Sequence, residues 1–171
     1  NGTLEINKCK FYDNKSNYWA SCVWVGTSRS DNRNDQCLIT DSVFKGNYGK
    51  YTSTVATSSE NCVIKNCLFE NNECDSGGTV NVSHYGTLEV VDTDITGNIC
   101  TSDEEDDSTT AGICIDVCGK LVLNGKVNIT GNTYNNKENN LIFYPYGIAR
   151  FLIVLGEQFD AASKVGLKVR K

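Results

Sequence analysis

Short segments that alternate apolar and polar residues run along most of the chain. Five of these segments share one pattern, in which an apolar anchor is followed three residues later by Asn; they are residues 4–14, 37–47, 62–72, 88–98 and 121–132. They are rich in β-branched residues and follow a period of two rather than 3.6, which indicates β-strands. The chain therefore contains repeated strands, and no segment of ten residues is a credible helix.

The repeat recurs at the spacing of a coiled solenoid. Its anchors Phe11, Phe44, Phe69, Ile95 and Ile129 are 33, 25, 26 and 34 residues apart. A second, weaker strand lies between successive copies, at Ser21–Val25, Ser53–Thr57, Gly77–Val82 and Ala111–Val117. A coil of this length cannot bury its apolar face alone, whereas stacked coils pair each strand with its copy about 4.8 Å away.

The predicted fold is therefore all-β, a right-handed parallel β-helix of about five or more coils, because crossovers between parallel strands are right-handed. Residues 26–36 and 100–110 account for the long periods and are expected to be surface loops. Residues 1–134 form the coils. Residues 135–171 are a closing segment of irregular coils or capping strands, with strands expected at Leu141–Tyr144, Ile148–Leu155 and Val165–Val169. The chain begins with Asn and contains 0 Met, which indicates a piece of a larger protein.

Asparagine ends every copy of the repeat, at one corner of each coil. We expect the side chains to stack into a ladder of amide–amide hydrogen bonds, with the Asn residues suited to a left-handed backbone. The predicted members are Asn14, Asn47, Asn72, Asn98 and Asn132. The same alignment predicts that Phe44 and Phe69 stack inside the solenoid.

Nine cysteines are present, but no C-x-x-C pair, which weakens a zinc or redox-motif interpretation. Cys74 and Cys100 hold the same position in successive coils, and so do Cys37 and Cys62. Stacked equivalents lie within the Cα separation of a disulfide. A Cys74–Cys100 bridge is the main expectation, with Cys37–Cys62 as the alternative. The inward positions of the strands predict that four other cysteines are small core residues with free thiols; they are Cys9, Cys67, Cys22 and Cys114.

Charge and sequons bear on the compartment and the partners. The net charge of −5 disfavours binding to nucleic acid, anionic lipid and polyanionic sugars. Asn-x-Ser/Thr sequons make Asn81, Asn128, Asn14 and Asn1 glycosylation candidates. Together with the cysteine content, they favour a secreted or cell-surface protein.

The repeat resembles that of the polymorphic outer membrane protein family of surface adhesins. That family pairs a Gly-Gly-Ala-Ile-type motif with a Phe-x-x-Asn motif, which Phe11–Asn14, Phe44–Asn47 and Phe69–Asn72 match. Gly77-Gly-Thr-Val80 looks like the first motif, and Ala111-Gly-Ile-Cys114 like a degenerate copy. The resemblance covers residues 1–134. It implies a right-handed β-helix on a cell surface or secreted, used for adhesion or as a stalk.

Several residues leave other functions open. Asp92 and Asp94 sit two residues apart and could serve a pectin-lyase-like carbohydrate-active β-helix enzyme, although no basic partner is evident. The acidic segment 103–107 could hold calcium, but contiguous carboxylates usually stay solvated. Aromatic residues could stack on sugar rings or close the core; they are Tyr18, Trp19, Trp24, Tyr144 and Tyr146. His84 is most simply a surface turn residue.

The pattern as a whole favours a non-enzymatic extracellular β-helix module for adhesion or as a stalk, with no catalytic residue, cofactor or metal. A filament component, whose coils continue end to end, is a further alternative. The expected partners are a host or neighbouring-cell surface protein or glycan, or further coils of the same protein, without nucleic acid or membrane insertion.

Overall fold

The computed structural model describes residues 2–25, 35–83, 86–102, 109–116, 120–144 and 152–167. Within these ranges the chain is all-β and has no helix, so none that could cross a membrane. His84, segment 103–107, Asn1, Cys118 and Tyr146 lie outside the described residues. Most of the predicted loop 26–36 does so as well.

The strands form four stacked sheets, three of six strands and one of five. Sheet A contains Thr3–Asn7, Gln36–Thr40, Asn61–Lys65, Thr87–Val91, Lys120–Asn124 and Leu152–Leu155. Sheet B contains Lys10–Tyr12, Val43–Lys45, Leu68–Glu70, Asp94–Thr96, Asn128–Thr130 and Lys164–Val165. Sheet C contains Lys15–Ser16, Tyr48–Gly49, Glu73–Cys74, Ile99–Cys100, Thr133–Tyr134 and Lys137–Glu138. Sheet D contains Val23–Val25, Thr52–Thr57, Gly78–Val82, Ile113–Asp116 and Leu141–Tyr144.

Apart from the antiparallel pair at the end of sheet C, the strands pair in parallel with their copies in the next coil, and the register joins equivalent residues. In sheet B the pairs run through the anchors, Phe11 to Phe44, Phe69, Ile95 and Ile129. The observed parallel stacking confirms the all-β, solenoid-like architecture that the repeat predicted. The alternation of side chains then places every second residue inside.

The main core is a continuous apolar column to which sheets A, B and D contribute, and a smaller cluster of Cys74, Cys100 and Ala111 lies at sheet C. Sheet A contributes Ile39, Ile64, Val90 and Leu123, and sheet D contributes Val55, Val80 and Ile113, all at most 2% exposed. Because every coil adds residues to the same column, each coil is buried by its neighbours rather than by itself.

The closing segment continues the stack. Leu141–Tyr144 extends sheet D, Leu152–Leu155 extends sheet A and Lys164–Val165 extends sheet B, all in parallel register. Within the described residues, the strand expected at 148–155 begins at Leu152, and the one expected at 165–169 is the pair Lys164–Val165. The described strands of this segment therefore form a further irregular coil.

A β-hairpin interrupts sheet C at the expected polar turn. Thr133–Tyr134 pairs antiparallel with Lys137–Glu138, and the two turn residues Asn135 and Asn136 have φ of 46° and 62°. Two positive φ values in a two-residue loop define the hairpin turn for which Asn is well suited. The hairpin returns the chain to the same corner and so closes the growing edge of sheet C.

The register corrects one motif alignment. Val80 pairs with Ile113 rather than with Cys114, so Gly77-Gly-Thr-Val80 is aligned with residues 110–113 and not with 111–114. The structure explains why the first residue of that motif is glycine. Gly77 has φ of 79°, and a Cβ there would collide with the Tyr51 carbonyl oxygen.

Candidate functional site

The asparagine ladder is a polar column whose interior members are buried and use all of their side-chain hydrogen-bonding capacity. Asn72 Oδ1 accepts from Asn47 Nδ2 at 2.9 Å and from Asn47 N at 3.0 Å. Its Nδ2 donates to Asn98 Oδ1 at 2.9 Å and to Phe44 O at 3.0 Å. A side-chain amide has two donors and an acceptor oxygen with two lone pairs, so each is occupied here. The ladder therefore fixes both the side chains and the coil spacing.

The same pattern runs through the column, and a sixth asparagine extends it. Asn14 donates to Asn47, and Asn98 donates to Asn132. Asn132 Nδ2 donates in turn to Asn140 Oδ1, and Asn140 Nδ2 donates to Glu138 Oε1, both at 2.9 Å. Asn140 was not among the predicted members, because it follows the hairpin rather than an apolar anchor. The Glu138 carboxylate accepts a hydrogen bond from the Asn140 side-chain amide, and the ladder ends there.

The expected left-handed backbone lies one residue earlier than predicted. The residue before each of the five predicted ladder asparagines has φ between 54° and 68°; these residues are Asp13, Gly46, Asn71, Gly97 and Gly131. The ladder asparagines themselves do not adopt positive φ. The preceding residue makes the sharp turn, which aims the asparagine side chain inward along the stack.

The phenylalanine anchors form a stacked column. The Phe44 and Phe69 ring centroids lie 4.5 Å apart with planes 2° from parallel, and both side chains are fully buried. Phe11 continues the stack on Phe44 at 4.7 Å but is only partly buried. The predicted stacking of Phe44 on Phe69 is confirmed.

A column of small polar side chains lies at the corner between sheets A and B. Ser42 Oγ accepts from Cys9 N and donates to Thr40 O, and Thr93 Oγ1 makes the equivalent pair of bonds with Cys67 N and Val91 O. The Cys67 thiol donates to Lys65 O at 3.2 Å. Burial raises the pKa of Cys67 to about 11. Cys67 is a small core residue as predicted, whereas Cys9, in the first coil, is only partly buried and is not part of the core.

Both predicted cysteine pairs are brought together. Cys74 pairs in register with Cys100, and Cys37 with Cys62, while all four side chains are at most 1% exposed. The cysteines are thiols, and the two members of each pair are hydrogen-bonded to each other. The hydrogen bond with the partner thiol, together with burial, raises the pKa of Cys74 and that of Cys62. A disulfide at either pair stays a prediction.

The two remaining described cysteines differ. Cys22 packs beside the core, and burial raises its pKa to about 11. Cys114 was expected inside the core, but it lies on the outer face of sheet D, in register with Asn81 and between inward Ile113 and Ile115. Its side chain is 2% exposed and lines a groove on the outer face rather than the interior of the solenoid.

The sequon asparagines of the described residues differ in the surroundings of the side-chain Nδ2, the atom to which a glycan would be attached. Asn128 is on the outer face between buried Val127 and Ile129, and its Nδ2 donates to Asp94 Oδ1 at 2.6 Å. Asn81 is outward between buried Val80 and Val82. Asn14 uses its Nδ2 in the ladder. Glycosylation of any of them stays a prediction.

The carboxylates considered for an enzyme do not share a strand. Asp92 lies in the turn after Val91 with φ of 45°, and its Oδ1 accepts from Lys126 N at 2.9 Å. Asp94 begins the next strand and pairs with Leu68 and Asn128. Both carboxylates hold backbone or amide groups on an exposed surface. Among the described residues, no group of three His, Cys, Asp or Glu side chains is placed to hold a metal ion.

An aromatic groove lies at the corner between sheets C and D. The Trp19 and Tyr51 ring centroids are 5.3 Å apart, and Tyr18 contacts both rings edge-on at 6.1 Å. The groove has a volume of about 200 Å³, and its other lining residues are Ser76, Gly77, Asn81, Cys114 and Asp116. Of the aromatic residues singled out from the sequence, Trp19 lines the groove and Tyr18 lies beside it, whereas Trp24 is exposed on sheet D and is not part of it. Tyr51 was missed, because its place depends on stacking two coils. Of the other two aromatics, the side chain of Tyr144 and all of Tyr146 lie outside the described residues.

Comparison of the chain with protein families, with curated proteins and with solved structures found no match.

Proposed function

We propose that this chain is a non-enzymatic, right-handed parallel β-helix of about five or more coils, secreted or displayed on a cell surface, which serves in adhesion or as a stalk. The observation that carries the proposal is the asparagine ladder, which links coil to coil through fully used amides. Such a column makes the stack of coils rigid, and its interior side-chain amides have no free donor or acceptor with which to bind or activate a substrate.

The handedness is supported by the strong preference of parallel crossovers. The resemblance to the polymorphic outer membrane protein repeat supports a surface location, as do the sequons and the cysteine content. The enzyme alternative has weaker support, since the carboxylates of Asp92 and Asp94 are already engaged by Lys126 N and Asn128 Nδ2.

Antibody labelling of intact and permeabilised source cells tests the proposal. We expect intact cells, or the culture medium, to carry the protein. Labelling that needs permeabilisation, with none in the medium, would exclude a surface or secreted role. Binding of the recombinant chain to neighbouring or host cells then separates adhesion from a purely structural stalk.

A filament component is a second candidate, favoured by exposed Leu152 and Leu155 on the edge strand of sheet A. The hairpin at Thr133–Glu138 acts against continuous stacking across sheet C, because it turns the edge back on itself. Negative-stain imaging of native material distinguishes filaments from single rods.

A further inference from the structure

We propose that the groove between Trp19, Tyr51, Ser76, Asn81 and Asp116 binds one ring of a neutral oligosaccharide. The proposal names the ligand class of the adhesive role above and in that sense rests on it. None of the residues that line the groove belongs to the asparagine ladder or to the cysteine pairs. The stacking of the coils therefore does not explain why these side chains lie together.

The two aromatic rings of the groove are held together by ring and backbone contacts. Trp19 and Tyr51 remain 43% and 37% exposed although their rings contact each other. Their position is fixed by the backbone, since Tyr51 N donates to Tyr18 O at 3.2 Å and Ala20 pairs with Thr52. A rigid, partly exposed aromatic face offers apolar contact to the C–H face of a sugar ring at small entropic cost.

The groove is also lined by polar side chains that can donate and accept hydrogen bonds. Asn81 provides two amide donors and an acceptor, Ser76 provides a hydroxyl, and Asp116 contributes a carboxylate whose Oδ1 is itself buried. An apolar surface with a few convergent polar groups is the usual composition of a small-molecule site. Sugar hydroxyls both donate and accept, so they can use each of these side chains. The volume of about 200 Å³ suits a single ring rather than a long enclosed chain.

Charge and donor content select among ligands with an apolar face. The net charge of −5 and the Asp116 carboxylate disfavour acidic sugars. A proline-rich peptide also docks on aromatic grooves and is therefore the competing occupant in the test. A neutral sugar offers an apolar C–H face to the aromatic rings and hydroxyl groups to the polar side chains.

Fluorescence titration of the full chain, produced in a host that adds no N-glycan, tests the proposal. The chain has 2 tryptophans, so a Trp24→Phe background leaves Trp19 as the reporter. The probes are neutral trisaccharides of glucose, mannose, galactose and N-acetylglucosamine, together with trigalacturonate and a proline-rich peptide. We expect a saturable change with at least one neutral trisaccharide. Tyr51→Ala should weaken that binding about tenfold, equivalent to about 1.4 kcal/mol.

Tyr12→Ala is the matched control, because Tyr12 is an exposed tyrosine of sheet B, outside the groove. It should leave the affinity unchanged, and both variants should keep the β-sheet circular dichroism of the parent. The proposal would be overturned if none of the neutral trisaccharides gave saturable binding, or if only trigalacturonate or the peptide did. It would also be overturned if Tyr51→Ala left the affinity unchanged. These outcomes are independent of cell-surface labelling, so failure of the groove and failure of the surface role are distinguishable.

Discussion

The Asn132 side chain donates a hydrogen bond to Asn140 Oδ1 at 2.9 Å, although only 8 residues separate them along the chain. The other rungs join asparagines 25 to 34 residues apart. The hairpin at Thr133–Glu138 replaces a full coil at this corner and still delivers an asparagine in ladder position. Glu138 then accepts from Asn140 at 2.9 Å, so the ladder ends on a carboxylate rather than on an orphaned amide.

An interior rung should be worth far more than an end rung. Asn72→Ala removes the acceptor of both Asn47 Nδ2 and Asn47 N in a fully buried site, so we expect a loss of roughly 3 kcal/mol or more in the free energy of unfolding. Asn14→Ala is the matched control, since Asn14 is exposed and Asn47 keeps its other bonds. It should cost less than about 1 kcal/mol. Urea titration measures both, and equal small losses would contradict a structural ladder.

The phenylalanine stack gives a second comparison of interior and end positions. Phe44 is fully buried between Phe11 and Phe69, so Phe44→Ala should cost about 3–5 kcal/mol, and Phe69→Ala a similar amount. Phe11→Ala should cost less, because Phe11 is partly exposed and has one ring neighbour. Denaturant midpoints give the values. A loss below roughly 1 kcal/mol for Phe44→Ala would be incompatible with the observed register.

The repeat predicted the ladder and the stack because both depend only on residues that recur once per coil. Asn72 and Phe69 have equivalents at a fixed offset, and parallel stacking alone brings equivalents together. Features that break the repeat were missed. Asn140 depends on the hairpin turn at Asn135 and Asn136, and the Cys114 position depends on a one-residue offset in sheet D.

The groove illustrates the same limit for the candidate site. Trp19 was recognised as a possible sugar contact, but Tyr51 and Asp116 come from other coils and carry no repeated pattern. Their meeting depends on the turns between sheets C and D, whose geometry is set by local backbone contacts. Composition and periodicity do not specify such contacts.

Buried thiols should make the fold sensitive to alkaline pH. The pKa values of Cys22 and Cys67 are raised to about 11, whereas a thiol in the unfolded chain ionises near pH 8.5. Between these values the folded state binds more protons than the unfolded state. The stability is therefore full below about pH 8.5 and falls as the pH rises towards 11.

Cys67→Ser isolates one of these thiols, because Ser42 already occupies the equivalent place in the preceding coil. We expect this variant to lose less stability between pH 8 and pH 10.5 than the parent, by on the order of 1 kcal/mol. Urea midpoints under reducing conditions, at several pH values, provide the comparison. Identical pH slopes would show that Cys67 is not protonated selectively in the folded state.

Native material from a source with a glycosylating secretory pathway should carry glycan on Asn81, Asn128 or both. The two side chains lie on outer faces between inward residues, whereas the Asn14 amide is held in the ladder. Mass spectrometry of glycosidase-treated peptides locates the modification. Unmodified peptides at both positions would refute the prediction. A glycan on Asn81 would also occupy the groove and reduce oligosaccharide binding, a consequence that the same preparation can test.

The Cys74–Cys100 pair should form a disulfide when the protein passes through an oxidising compartment. Both thiols are fully buried and in register, and they lie on two-residue strands whose flanking turns can adjust. Cys37 and Cys62 lie within five-residue strands of a six-stranded sheet, where parallel neighbours hold the side chains side by side. The dihedral angle of a disulfide is harder to reach there. We therefore expect the second pair to remain thiols.

The bridge would close a loop of about 26 residues and stabilise the protein by about 3 kcal/mol, chiefly by restricting the unfolded chain. It would also tie together the two coils that precede the acidic segment 103–107. Non-reducing peptide mapping of native protein should recover Cys74 joined to Cys100. Cys74→Ser then serves as the matched variant, since it should lower the unfolding midpoint more under oxidising than under reducing conditions, where only the cost of burying the hydroxyl remains. Free Cys74 and Cys100 thiols in protein from an oxidising compartment, or either residue joined to another cysteine, would rule the bridge out.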